Sequence, residues 1–86
     1  MDKIKSRITT EVLISNKTIL PDEYSGIFIQ NNSDEDVTVL DNIVLKPTQF
    51  FTFSEDFGIV VDTNIPIKFT GYGKKQVLVI KTYYRK

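Results

Sequence analysis

Val37-Thr38-Val39-Leu40-Asp41-Asn42-Ile43-Val44-Leu45 is the stretch on which the fold turns. Two short runs of β-branched and aliphatic residues flank Asp41-Asn42, and Asp and Asn tolerate the left-handed backbone that a two-residue type I′ turn requires. The stretch therefore predicts a tight β-hairpin. Outward from it, apolar residues recur with period two in short runs bounded by turn residues, the mark of half-buried strands. On the N-terminal side Ile8, Thr10, Val12 and Ile14 alternate with polar neighbours and are expected to face inward, leaving Leu13 off that register. Thr18-Ile19-Leu20 runs into Pro21, whose missing amide makes a central strand unfavourable. Ile27-Phe28-Ile29-Gln30-Asn31 forms a further strand, closed by the polar cluster Asn32-Ser33-Asp34-Glu35-Asp36, with Asn31 and Asn32 as turn residues.

On the C-terminal side Lys46-Pro47-Thr48 turns the chain into Gln49-Phe50-Phe51-Thr52-Phe53. Residues 54–58 turn it again into a strand at Ile59-Val60-Val61-Asp62. Ile65, Ile67 and Phe69 then alternate with Pro66, Lys68 and Thr70, and Pro66 either delays that strand or puts it at an edge. After the loop Gly71-Tyr72-Gly73-Lys74-Lys75, a last strand runs from Gln76 to Tyr84, and its run Val77-Leu78-Val79-Ile80 implies burial on both faces. Seven or eight closely spaced strands with no helical stretch between them predict an all-β, antiparallel β-sandwich of jelly-roll or immunoglobulin-like type, with a small barrel as the alternative closure. One domain is expected to span residues 1–86, with no internal repeat and no linker.

A chain of 86 residues buries only about 60 to 65% of the surface it exposes when unfolded, so its stability alone is modest. Small domains compensate with disulfides, a metal or association. The chain has no Cys and no His, which removes disulfides, thiolate sites and imidazole ligands together. Association remains. No apolar run approaches the roughly 20 residues that cross a bilayer as a helix, and synthesis in a cytoplasm is expected. The net charge is zero but unevenly placed: residues 1–17 carry +2, residues 18–62 carry −8, and residues 63–86 carry +6. If the fold keeps those segments apart, opposite poles favour head-to-tail contacts between copies; if the acids sit in solvated turns, they need no function.

Catalytic chemistry has little vocabulary here. Without His or Cys, acid-base and nucleophilic routes narrow to carboxylates and lysine, and no catalytic, cofactor-binding or metal-binding residue is assigned. Asp34-Glu35-Asp36 lacks the alternating ligands and glycine of a calcium loop, and Glu55-Asp56 are neighbours on a turn that do not flank a sugar. Nucleic acid has a better case, since Tyr72, Lys74 and Lys75 in one loop, with Lys81, Tyr83, Tyr84, Arg85 and Lys86, mix aromatic and basic groups as single-strand binders do. The acidic middle and zero net charge weigh against it. The side chains expected off the inward register are Leu13, Phe50, Phe57 and Tyr84. Together with Tyr72, Tyr83 and the arms at residues 1–7 and 83–86, they are the candidate interface.

Three features carry a resemblance to a known family. They are a strand ending in an Asn-rich turn (Ile27 to Asn32), a short hairpin (Val37 to Leu45) and a Leu-x-Pro turn before an aromatic strand (Leu45-Lys46-Pro47, then Phe50-Phe51-Thr52-Phe53). Together with a closing strand Val77-Leu78-Val79-Ile80 followed by Lys81 and tyrosines, the chain resembles the small β-sandwich structural proteins of tailed bacteriophages. Many of those carry Pro-Gly where this chain has Pro47-Thr48. The resemblance implies a virion protein, an auxiliary or decoration subunit of the capsid or a head-tail or fibre component. Its partners would be other virion proteins and further copies of itself, without membrane, cofactor or enzymatic activity. The alternative reading is a single-stranded nucleic-acid-binding β-barrel module.

Overall fold

The structure is a computed structural model and describes residues 5–56 and 59–85. Among these residues eight strands follow one another: β1 (Lys5–Leu13), β2 (Lys17–Ile19), β3 (Gly26–Asn31), β4 (Val37–Val39), β5 (Ile43–Leu45), β6 (Phe50–Ser54), β7 (Ile65–Phe69) and β8 (Val77–Arg85). They form two four-stranded sheets, ordered β1-β8-β3-β6 and β2-β7-β4-β5, with every pair antiparallel. First pairs with last, second with seventh, third with sixth and fourth with fifth, so the chain is one long ribbon folded at β4–β5. Rolling that ribbon until β3 meets β8 and β4 meets β7 gives the jelly roll, an eight-strand double Greek key, and not the immunoglobulin order.

The tip of the ribbon is the hairpin expected at Asp41-Asn42, but the turn is one residue longer. Val39 pairs with Ile43, leaving Leu40, Asp41 and Asn42 as the loop, and the left-handed positions are Leu40 (φ 56°) and Asp41 (φ 63°). Leu40 stays out of the β4–β5 ladder because its amide points the other way, donating to the Pro66 carbonyl of β7 at 3.1 Å, while its side chain packs on the core. Pro66 accordingly lies in a central strand between β2 and β4, not at an edge. Amide and carbonyl of one strand residue point the same way, so its absent donor falls beside Leu40, beyond the end of β4, where no ladder bond is missing.

Among the described residues one buried cluster lies between the sheets, with Ile27, Ile29, Val77 and Val79 from one and Val37, Val39, Ile65 and Ile67 from the other. Two sequence expectations fail around it. Ile59 to Asp62 is no strand. It crosses between the sheets, anchored by the Val61 amide on the Tyr24 carbonyl (2.8 Å) and by the Ser25 hydroxyl on the Ile59 carbonyl (2.7 Å), and of the two valines only Val61 is buried. The first strand is turned over. Leu13 is core, 5% exposed, whereas Ile8 is 62%, Val12 51% and Ile14 71% exposed. Leu13 pairs with the inward Val77 and Glu11 with the inward Val79, so odd positions of β1 face in, and a strand has only two faces to offer.

Candidate interface

The outer face of the β1-β8-β3-β6 sheet is built by the pairing registers. One cross-strand row reads Val12, Leu78, Gln30, Phe50; the next reads Thr10, Ile80, Phe28, Thr52; a third reads Ile8, Thr82, Gly26, Ser54; and Ser6 beside Tyr84 extends it. None of these fourteen residues is charged, although 26% of the chain is. Folded surfaces ordinarily carry charge at roughly a quarter to a third of positions. Phe28 and Phe50 stack diagonally across β3 and β6, ring centroids 5.2 Å apart, leaving Phe50 58% exposed. Ile8 and Val12 continue the apolar surface to the other edge.

Of the expected interface side chains, Phe50 and Tyr84 lie on this face, while Leu13 belongs to the core and Phe57 lies outside the described residues. Tyr83 is half-buried on the opposite face. Its hydroxyl donates to Asp22 Oδ2 at 3.1 Å, and the Arg7 guanidinium sits 4.6 Å from its ring centre. Burial first, then the bond to Asp22, pushes its phenol pKa up. Lys5 to Arg7 and Tyr83 to Arg85 are paired with each other, and residues 1–4 and 86 lie outside the described residues. Ile8, Val12, Phe28, Leu78 and Ile80 were missed as surface residues because hydrophobicity alone places them inside. The signal that marks them is the missing charge: Ser6, Thr10, Gln30, Thr52 and Thr82 interleave with them where Lys or Glu would be usual.

Tyr72 stands fully exposed in the β7–β8 loop, outside the strands that make this face. Glu35 holds that loop: its carboxylate accepts from the Gly71 amide (2.9 Å) and the Gly73 amide (2.8 Å), and Lys75 lies 4.0 Å away. A Cβ on Gly71 would come within 2.9 Å of that carboxylate. The Lys75 amine also donates to the Gly71 carbonyl, so of the basic and aromatic trio, Tyr72 and Lys74 face solvent. The acidic cluster thus serves the loop through Glu35, and among the described residues no group of three or more acidic side chains could hold a metal ion. Two ion pairs, Lys68–Asp41 and Lys75–Glu35, join the acidic middle to the basic C-terminal segment, so the charge blocks of the sequence mix in space.

Asn31 is buried at the end of β3 with its polar atoms paired. Its side-chain amide donates to the carbonyls of Glu35 and Leu45, both at 2.8 Å, and its side-chain oxygen accepts from the Ser33 amide at 2.8 Å. One side chain therefore ties β3, the Ser33–Glu35 turn and β5 together. Among the described residues no helix is long and apolar enough to cross a membrane. The chain matches no protein-family model, and no curated protein shows significant sequence similarity to it.

Proposed function

We propose that this protein is a structural subunit of a tailed-phage particle, an auxiliary or decoration protein of the capsid or a head-tail or fibre component, working by protein-protein assembly and not by catalysis. The observation that carries this reading is the uncharged outer face of the β1-β8-β3-β6 sheet, with Phe28, Phe50, Ile8 and Val12 on a surface that a solitary small domain ordinarily covers with charge. The jelly roll supports it more weakly. The fold serves capsid domains but also lectins and cupins, and a fold is not a function. The occupant of the face is an apolar, weakly charged surface of a neighbouring virion subunit.

Co-sedimentation of purified protein with particles lacking it tests the reading. Wild type should bind, and Phe50→Asp should bind at least tenfold more weakly while keeping its circular dichroism, since Phe50 is exposed and its loss costs the fold little. A protein that ignores every particle component offered overturns the proposal. Salt-sensitive oligonucleotide binding that falls on replacing Tyr72, Lys74 and Lys75 would put single-strand binding in its place.

A further inference from the structure

The β1 edge of the same sheet, unpaired among the described residues, carries a different surface. Three of the four sheet edges are short strands, β2 and β5 of three residues and β6 of five, as expected of proteins that blunt their edges. β1 is the exception. It has nine residues, and Lys5 to Val12 are exposed but for half-buried Thr9.

Which backbone groups β1 offers follows from its neighbour. The carbonyls of Thr82 and Gln76 bond the β3 side, to the amides of Ser25 and Asn32, so even positions in and beside β8 point toward β3 and odd ones toward β1. Tyr83, Lys81, Val79 and Val77 therefore bond Arg7, Thr9, Glu11 and Leu13. The amides and carbonyls of Ser6, Ile8, Thr10 and Val12 are left pointing outward along the edge.

We propose that two copies of this chain join through these edges, antiparallel about a twofold axis at Thr9, into one eight-stranded sheet. In that register Ile8 meets Thr10 of the second copy and Ser6 meets Val12, so the outward groups of all four residues pair, each couple exchanging two hydrogen bonds. Other symmetric registers that keep the faces matched bring in residues beyond β1. The charges make the same choice. Arg7 stands opposite Glu11 of the second copy, twice over, in the closely spaced non-hydrogen-bonded position where side chains meet best, and Thr9 faces Thr9. Lys17 bonds Oε1 of Glu11 at 3.1 Å, leaving the second carboxylate oxygen for the incoming guanidinium. Charges of either sign on an edge discourage pairing with arbitrary strands; here their order admits the chain's own copy. The join also carries the uncharged face across the axis, with Ile8 and Val12 of both copies at its centre. The inference goes beyond the virion reading, because it concerns another surface and has its own test.

Sedimentation equilibrium across the micromolar to millimolar range tests it. Wild type should dimerise. Arg7→Glu or Glu11→Arg alone, each setting like charges face to face, should weaken the dimer about tenfold or more, and the double swap should restore it to within a few-fold, because only this register pairs position 7 with position 11. Thr10→Pro, which removes an outward amide and no β1–β8 bond, should be monomeric with unchanged circular dichroism. A wild type that stays monomeric, or a dimer indifferent to both charge reversals, overturns the proposal. Particle binding by a monomeric wild type would sink the edge pairing and keep the assembly reading; a charge-swappable dimer that ignores particles would do the reverse.

Discussion

At Thr48 the chain adopts a backbone that a β-branched residue tolerates poorly. Lys46-Pro47-Thr48-Gln49 is a type II turn, closed by the Gln49 amide on the Lys46 carbonyl at 2.9 Å, with Thr48 at φ 75° where glycine is the usual residue. Thr48→Gly should stabilise the protein by about 0.5–1 kcal/mol, relief of strain outweighing the added freedom of the unfolded chain, and raise Tm by roughly 2–8 °C in a thermal melt. Tyr24 is a second residue at odds with its place. It is fully buried with the Lys81 amine 5.3 Å from its ring centre, and its hydroxyl finds no partner among the described residues. Burial, then the nearby Tyr83, pushes its pKa up. A raised folded pKa means that the folded state holds its proton more tightly, so stability is full below the unfolded value near 10 and falls as pH rises beyond it, by about 1.4 kcal/mol per pH unit per such phenol. Tyr24→Phe should therefore be neutral or slightly stabilising at pH 7 and should flatten the loss of stability between pH 10 and 12 in denaturant titrations. A steeper alkaline loss in the variant would contradict this.

Among the elements, the β7–β8 loop owes its shape to a residue outside it. Glu35, at the far end of β3's closing turn, supplies two charge-assisted hydrogen bonds to loop amides. Glu35→Ala should cost about 1.5–3 kcal/mol and speed hydrogen exchange at Gly71 and Gly73 well before it affects β3 or β8. Equal protection of those amides in the variant would show that the loop holds itself. Nothing in the spacing of Asp34-Glu35-Asp36 points to this partner. A stretch that reads as a solvated turn reaches a loop some 36 residues away in sequence only because β3 and β8 lie side by side.

Over the whole molecule, two surfaces of different chemistry meet at β1. The protein is longer than its size requires, with a radius of gyration of 13.9 Å against about 12 Å for a compact chain of this length, because β1 and β8 run on as a paired ribbon. The uncharged sheet face and the charged inner side of that ribbon should answer salt in opposite ways. Association through the apolar face should strengthen in ammonium sulfate, whereas pairing through Arg7 and Glu11 should weaken as sodium chloride rises from low to near-molar concentration. Light scattering in the two salts separates them, and a response of the same sign in both would mean that one surface does all the work.

The strands that do form, their order along the chain and the position of the ribbon's tip were legible in the sequence, because period-two alternation and turn chemistry are local, although Ile59 to Asp62 read as one strand more. So was the exclusion of disulfide and imidazole chemistry, which composition settles by itself. Which side of a strand faces in was not local. Ile8, Val12 and Ile14 make a better apolar face than Arg7, Thr9 and Glu11, yet Leu13 is buried and they are not, because pairing with Val77 and Val79 assigns the parity of β1. The same holds for Leu40, kept out of the β4–β5 pairing by its bond to the Pro66 carbonyl, and for Ile59 to Asp62, anchored to Tyr24 and Ser25 in the distant connection between β2 and β3. Alternation defines two faces, and only the sheet that a strand joins decides which one meets water.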